Sequence, residues 1–168
     1  HAVNALAPLP DKAREVLKAL RPQGTLRNLQ VDWRPQREGA KRLEFAANLE
    51  QVGVSAWEGA PAAENVSGSV SGDLQQGQLR LASEAFGLHF ATLFPELWRY
   101  HEAGALLKWQ LNEQELVLNS SYLRLRGDEG ELAGDFTVRL MRDAQAEDYM
   151  DLRVGLRQGQ AQAAKKYL

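Results

Sequence analysis

The stretch Val66–Ser83, VSGSVSGDLQQGQLRLAS, shows the pattern on which the fold depends. Apolar or small residues alternate with polar ones before Asp73, and leucines alternate with polar residues after Gly77. A period of two is typical of a β-strand with one apolar face and one wet face. The segment between the two runs contains the Asp and Gly that tight turns prefer. The stretch therefore predicts an antiparallel hairpin.

The same alternation recurs along most of the chain. Apolar residues occupy every second position in Leu43–Leu49, Leu107–Leu111 and Phe136–Leu140, and about ten such runs occur in all. Short polar turns join successive runs, which favours antiparallel neighbours in a meander over parallel βαβ units. We therefore predict a mainly β protein, with a long curled antiparallel meander sheet of about ten strands over residues 25–158.

One segment near the start has the helical period instead. Apolar residues at i, i+3, i+4 and i+7 form a single stripe between Ala13 and Leu20, and a proline follows. This pattern predicts a short N-terminal helix over residues 11–21. Residues 161–168 are typical of the first turns of a second helix. Because this second helix is cut off, residues 1–168 are expected to be a single segment of a larger protein with a longer sheet.

Composition argues against several classes of protein. The 168 residues carry 20 Lys and Arg against 22 Asp and Glu, a formal net charge of −2. A nucleic-acid binder usually has a basic excess, so no nucleic-acid partner is expected. Cysteine is absent, which excludes a disulfide or a thiolate metal site. No run of about 18 apolar residues is present to cross a membrane as a helix.

Residues able to support catalysis are scattered. No metalloprotease, nucleophile-elbow or P-loop spacing occurs. His89 and His101 could hold a metal only if the fold brought them together with a further ligand. The acidic clusters at 128–131 and 147–151 fall in polar turns, whereas general acid–base catalysis needs a carboxyl in an apolar pocket. We therefore predict no enzyme activity, no metal and no cofactor.

The apolar face of the predicted sheet needs a cover. Ten strands spaced by about 4.8 Å would form a sheet roughly 45 Å wide, too wide for one short helix. The sheet must therefore curl into an open apolar groove that takes an apolar ligand or partner, or close into a sandwich or barrel. The closed alternative would be a binding module for carbohydrate or protein, with Trp57 and Trp98 as candidates for stacking on a sugar.

The alternation identifies the side chains expected to line such a groove. Each is apolar and lies in phase with the apolar face of its strand. They are Leu43, Phe45, Val70, Leu79, Leu81, Leu107, Trp109, Leu116, Leu118, Leu123, Leu125, Phe136, Val138, Leu140, Leu152, Val154 and Leu156.

Five short motifs follow one another along the chain. The segment Leu20–Leu29 contains L-x-P-x-G-x-L and leads into a strand that ends at Trp33, and the hairpin Val66–Ser83 contains S-G…G-D-x-x-x-G-x-L-x-L-x-S. The other three are Leu93–Pro95, Leu107–Trp109 and the closing A-x-x-Y-L of Ala164–Leu168. In this order they resemble the motifs of YhdP-type proteins, which belong to the AsmA-like group of Gram-negative bacteria. Met141–Asp143 departs from the family, which often has Leu-Pro there.

The resemblance implies a function that the alternation alone does not. Proteins of this type are similar to bridge-like lipid transfer proteins, which are anchored in the inner membrane and cross the periplasm as a long β-groove. Phospholipid is the implied ligand, because acyl chains would lie in the hydrophobic groove on their way to the outer membrane. Outer-membrane or periplasmic partner proteins are also implied. The chain is thus expected to be a periplasmic segment concerned with lipid transport and outer-membrane biogenesis.

Overall fold

The computed structural model describes residues 11–39, 42–57, 61–91 and 95–157. They form one helix, α1 (Asp11–Leu20), and eight strands in one sheet whose spatial order is the chain order. The strands are β1 Gln23–Trp33, β2 Leu43–Val54, β3 Ala62–Asp73, β4 Gln76–His89, β5 Trp98–Leu111, β6 Glu115–Gly127, β7 Gly130–Met141 and β8 Tyr149–Arg157. Every neighbouring pair is antiparallel, which confirms the predicted meander.

The sheet of the described residues is not closed. Strands β1 and β8 lie at its two edges, and each strand pairs only with its neighbours in the chain. A barrel would pair the two edges, and a sandwich would divide the strands between two sheets. The alternative of a closed sandwich or barrel is therefore wrong.

The structure has eight strands where the alternation predicted about ten. Two predicted pairs of runs are single long strands, β4 and β6, each interrupted by a local irregularity. In β4 this falls at Ala85, whose φ is 49°, and in β6 the register with β7 shifts between Ser120 and Leu123. A bulge breaks the period of two without ending the strand. Counting runs of alternation therefore overestimated the number of strands.

Irregular positions in neighbouring strands lie side by side. Gln51 in β2, Asn65 in β3 and Ala85 in β4 all have φ between 49° and 55°. The Gln51 N–H donates to Ser67 Oγ at 3.0 Å, and Asn65 Nδ2 donates to the Ala85 carbonyl at 2.8 Å. The second bond joins two of the irregular positions directly, and the first joins Gln51 to β3 two residues after Asn65. Adjacent strands thus change phase together, and apolar side chains stay on one face on both sides of the line.

The predicted hairpin turns are stabilised by their own side chains. Asp73 Oδ1 accepts the backbone N–H groups of Gln75 and Gln76 at 2.8 and 2.9 Å. Asn112 Oδ1 accepts two N–H groups in the same way after β5. Asp and Asn side chains commonly close turns by such bonds, which satisfy donors that no ladder reaches. They hold β3 against β4 and β5 against β6.

The boundaries differ slightly from the predicted ones. Helix α1 ends at Leu20 and Arg21 has a φ of 42°, so the helix is one residue shorter than the predicted 11–21. The sheet begins at Gln23, two residues before the predicted start, and is described as far as Arg157. The predicted second helix at 161–168 and residues 92–94 lie outside the described residues.

The left-handed backbone at Ala85 gives a test of the irregular line. An L-residue at such a φ is strained by about 1–3 kcal/mol, which exceeds the roughly 0.5–1 kcal/mol of extra chain entropy that a glycine loses. Ala85→Gly is therefore expected to raise the free energy of unfolding by about 1 kcal/mol in urea denaturation. Ala82→Gly, three residues earlier on the same strand, is the control and should lower it. Destabilisation by both substitutions to the same extent would contradict the strained backbone at Ala85.

Candidate functional site

The strand register places all seventeen predicted groove residues on one face of the sheet. Trp109 in β5 faces Leu118 in β6, which in turn faces Val138 in β7. A second row lies beside this first one. It runs from Val70 to Leu152 through paired residues that are apolar except for Ser120. We call this surface the apolar face. It is continuous across the strands because the register puts directly paired residues on the same side.

Exposure varies along the apolar face. Leu43, Leu81 and Leu125 are buried, and most of the other predicted residues are half-buried. In edge strand β8, by contrast, Leu152 is 55% exposed and Val154 is 40% exposed. Edge strand β1 likewise exposes large apolar side chains. Apolar surface thus extends to both edges of the described sheet.

Several members of the buried layer were not among the predicted residues. Val52, Val66, Phe86 and Tyr100 are each no more than 6% exposed and belong to the same cluster as Leu81. Phe86 follows the irregular position in β4, so simple alternation from the preceding leucines assigns it to the wrong face. Phe86 and Tyr100 could have been identified by their large aromatic side chains, which usually contribute to the core.

Two buried hydroxyls interrupt the apolar face and are satisfied locally. Ser83 Oγ accepts the Ser67 N–H at 2.8 Å and donates to the Ser67 carbonyl at 3.3 Å. Ser120 Oγ, on a residue only 1% exposed, donates to the Tyr122 carbonyl at 2.6 Å. A buried polar group without a partner would be costly. These bonds instead let the face remain dry at both positions.

Trp109 covers two glycines near one end of the apolar face. Gly72 and Gly77 are paired across β3 and β4, and Trp109 is paired with Gly77 across β4 and β5. A Cβ at Gly77 would overlap the six-membered ring of Trp109, and one at Gly72 would lie 3.1 Å from it. Because the two glycines have no side chains, the indole ring can lie directly against the backbone of the sheet.

The opposite face is polar and carries ion pairs between neighbouring strands. Arg124 and Glu131 approach to 2.8 Å, and Arg126 and Glu102 to 3.2 Å. Two further pairs of this kind are Arg27–Glu50 and Arg139–Glu115. Each exposed ion pair contributes little to stability on its own. Opposite charges on neighbouring strands nevertheless favour this pairing of the strands, whereas like charges would disfavour it. We call this surface the polar face.

The polar face also contains a cleft. Its volume is about 870 Å³, and polar side chains of β3 to β7 line much of it. Phe45 and Trp109 are the only members of the predicted groove set in its lining. Most of the cleft is therefore formed by the polar face, and Phe45 and Trp109 contribute to both linings.

Groups that could support catalysis or hold a metal do not converge in the described residues. His101 Nε2 and Asp128 Oδ1 are 2.5 Å apart, but both side chains are more than half exposed. In the ranges that the structure describes, no three His, Asp or Glu side chains are placed to share a metal ion. Trp98, considered for sugar stacking, packs against the buried cluster, and Trp57 is half-buried. None of the described helical residues makes a span long and apolar enough to cross a membrane.

A single-layered antiparallel meander with one apolar and one ion-paired face defines a class of protein that presents extended apolar surface. The chain belongs to the YhdP family, since the family model described as YhdP protein matches residues 1–168. This confirms the resemblance inferred from the five motifs. The chain is also similar to the "Intermembrane phospholipid transporter YhdP" of Escherichia coli (strain K12), with 22% identity over 153 residues. That alignment covers 91% of this chain and 12% of the relative. No solved structure matches the chain.

The contact between Gly77 and the Trp109 ring gives a prediction about stability. Gly77→Ala should lower the free energy of unfolding by about 1–3 kcal/mol, because the added methyl overlaps the indole ring. Gly53→Ala is the control, since a Cβ there would meet its nearest atom at 3.8 Å. In a Trp109→Leu background the cost of Gly77→Ala should shrink, as contacting residues couple in a double-mutant cycle. Additive effects of the two substitutions would contradict the contact.

The Arg124–Glu131 pair gives a prediction for acid. The hydrogen bond from Arg124 lowers the pKa of Glu131 below its ordinary value of 4.5 and outweighs partial burial, which acts in the opposite direction. A carboxyl with a depressed pKa adds stability above pH 4.5 that is lost as the pH falls through the folded-state pKa. Unfolding at pH 2 to 7 should show a shallower acid loss in Glu131→Gln than in the unchanged protein. Glu113→Gln, in the exposed turn after β5, should follow the unchanged protein.

Proposed function

We propose that the chain is a segment of a phospholipid transport protein and that its apolar face shelters acyl chains. The continuous apolar surface on an unclosed sheet carries this proposal. No second sheet among the described residues covers that face, so its half-buried side chains are available to a ligand. Apolar surface of this extent in a folded protein is typical of a binding site. The seventeen predicted residues are the proposed lining.

The rows of paired residues indicate the direction of the path. Apolar side chains follow one another from strand to strand, as in Trp109, Leu118 and Val138, so an acyl chain can lie across the strands. The exposed apolar residues of β8 continue that surface to the sheet edge. A curled sheet would turn this surface into a groove. Acyl chains would then move along it while the headgroups stay near water.

Burial of the acyl chain supplies the binding energy. At about 0.8 kcal/mol per CH₂ group, full shelter of a 16-carbon chain is favourable by on the order of 10 kcal/mol. Because the rows offer many similar apolar contacts, no single position traps the chain. The mechanism uses no catalytic residue, metal or cofactor, so we propose no enzyme activity.

The name of a similar protein supports the proposed setting of the segment. The similar Escherichia coli protein is named an intermembrane phospholipid transporter, and the present chain spans about 12% of its length. We therefore propose that this chain forms part of a longer β-groove in the periplasm, within a protein anchored in the inner membrane. Phospholipid would pass between the inner and outer membranes along that groove, with outer-membrane or periplasmic proteins as partners.

A pair of matched substitutions tests the role of the apolar face. Val138 lies on the apolar face, whereas Val117 belongs to the neighbouring strand and lines the cleft on the polar face. Val138→Asp should weaken binding of a fluorescent fatty acid at least tenfold, since a charge in an apolar site is strongly disfavoured. Val117→Asp should bind the probe normally, because the new carboxylate lies opposite Arg139.

The same variants show which result would overturn the proposal. Circular dichroism and urea denaturation must first show that both variants fold. Equal probe binding by folded Val138→Asp and by the unchanged protein would exclude the apolar face as the acyl site. Native mass spectrometry gives a second readout, in which the unchanged chain should carry phospholipid and the Val138→Asp variant should not.

A further inference from the structure

A row of polar residues crosses the cleft on the polar face. Ser71 pairs with Gln78, Gln78 with Lys108, and Lys108 with Asn119, which is in turn paired with Thr137. All five line the cleft of about 870 Å³. The row thus places one ammonium group between two carboxamides, with a hydroxyl at either end. We call these five residues the Lys108 row.

Charge pairing distinguishes Lys108 from most cations around it. Arg139, which lines the cleft, forms a cross-strand ion pair with Glu115, and Arg124 further along β6 forms one with Glu131. Within the part of the chain that the structure describes, Lys108 and Arg80 form no salt bridge. Arg80 lies two residues beyond Gln78 on the same face of β4, diagonal to Lys108. Diagonal neighbours in antiparallel strands are about 7–8 Å apart, so two long cationic side chains can reach one anion between them.

The cleft also contains two carboxylates, and their positions leave the Lys108 row open. Asp73 is occupied as a turn cap, where one oxygen accepts two backbone N–H groups. Glu44 is in β2, three strands from Lys108. The residues directly paired with Lys108 are both neutral amides. The local arrangement therefore combines two cations with neutral donors, which suits an anion with several acceptor oxygens.

We propose that the Lys108 row, together with Arg80, binds a phosphate group carried by a lipid headgroup or by a small soluble phosphate ester. Lys108 supplies a compact charge and three donors, and Arg80 supplies a second, planar set of donors. Gln78, Asn119 and Thr137 donate to the remaining phosphate oxygens. Because the site lies on the face opposite the acyl path, it stands independently of the proposed transport function.

Titration calorimetry with the 168-residue chain tests the site. The probes are inorganic phosphate, glycerol 3-phosphate and dihexanoylphosphatidylglycerol below its micelle concentration. Saturable binding is expected, and Lys108→Gln and Arg80→Gln should each weaken it roughly tenfold, as loss of a charge-assisted hydrogen bond does. Arg80→Lys should retain part of the affinity. Higher salt should weaken binding, because both cations are exposed.

Lys18→Gln is the matched control, since it removes the same charge from α1. Normal binding by Lys18→Gln alongside loss in Lys108→Gln would support a built site, and equal loss in both would show general charge attraction and overturn it. Absence of saturable binding to all three probes would also overturn it. Two supporting results separate the sources of phosphate. A lipid headgroup is indicated if dihexanoylphosphatidylglycerol binds more tightly than glycerol 3-phosphate and Lys108→Gln weakens that binding, and a soluble ester is indicated if glycerol 3-phosphate binds at least as tightly as the lipid probe.

Discussion

The antiparallel register between neighbouring strands is the constraint on which the rest of the structure depends. Side chains alternate between the faces with a period of two, so a slip of one residue would move an entire strand's apolar set into water. The pairing of Trp109 with Leu118 and of Leu118 with Val138 shows the register kept across three strands. The side-chain caps of the turns, such as Asp73, help to hold that register where each hairpin reverses.

Irregular positions preserve this separation of faces. A single bulge in one strand would turn the apolar residues beyond it towards the wrong side. Here Gln51, Asn65 and Ala85 lie in three successive strands, and hydrogen bonds join Gln51 to Ser67 of β3 and Asn65 to Ala85, so the change of phase is shared. Residues beyond the line, such as Phe86, therefore return to the same buried layer as Leu81. The two faces consequently have distinct chemistry, apolar on one and ion-paired with a polar cleft on the other.

Much of the sheet could be predicted because its signals are local. A strand such as Leu107–Leu111 is predicted from the alternation of adjacent residues, and a turn from single residues such as Asp73 and Asn112. The structure contains the corresponding strands and turns. The predicted groove residues share one face for the same reason. The irregularities of β4 and β6 were harder to predict. The one in β4 is stabilised by a hydrogen bond from Asn65 of β3, and the one in β6 by a hydrogen bond from Ser120 to the Tyr122 carbonyl two residues on. Their broken alternation made two strands look like four.

The sequence by itself determined the mainly β class, the meander order and the family, since each depends on periodicity, turn chemistry or ordered motifs. Only the tertiary structure decided that the sheet is unclosed, that Phe86 and Tyr100 join the buried layer, and that Trp109 lies over Gly77. It also brought Ser71 and Thr137 to one cleft, although 65 residues of sequence, 72–136, separate them. The physical reason is that these features arise from pairing between distant segments, whose register a one-dimensional pattern does not contain.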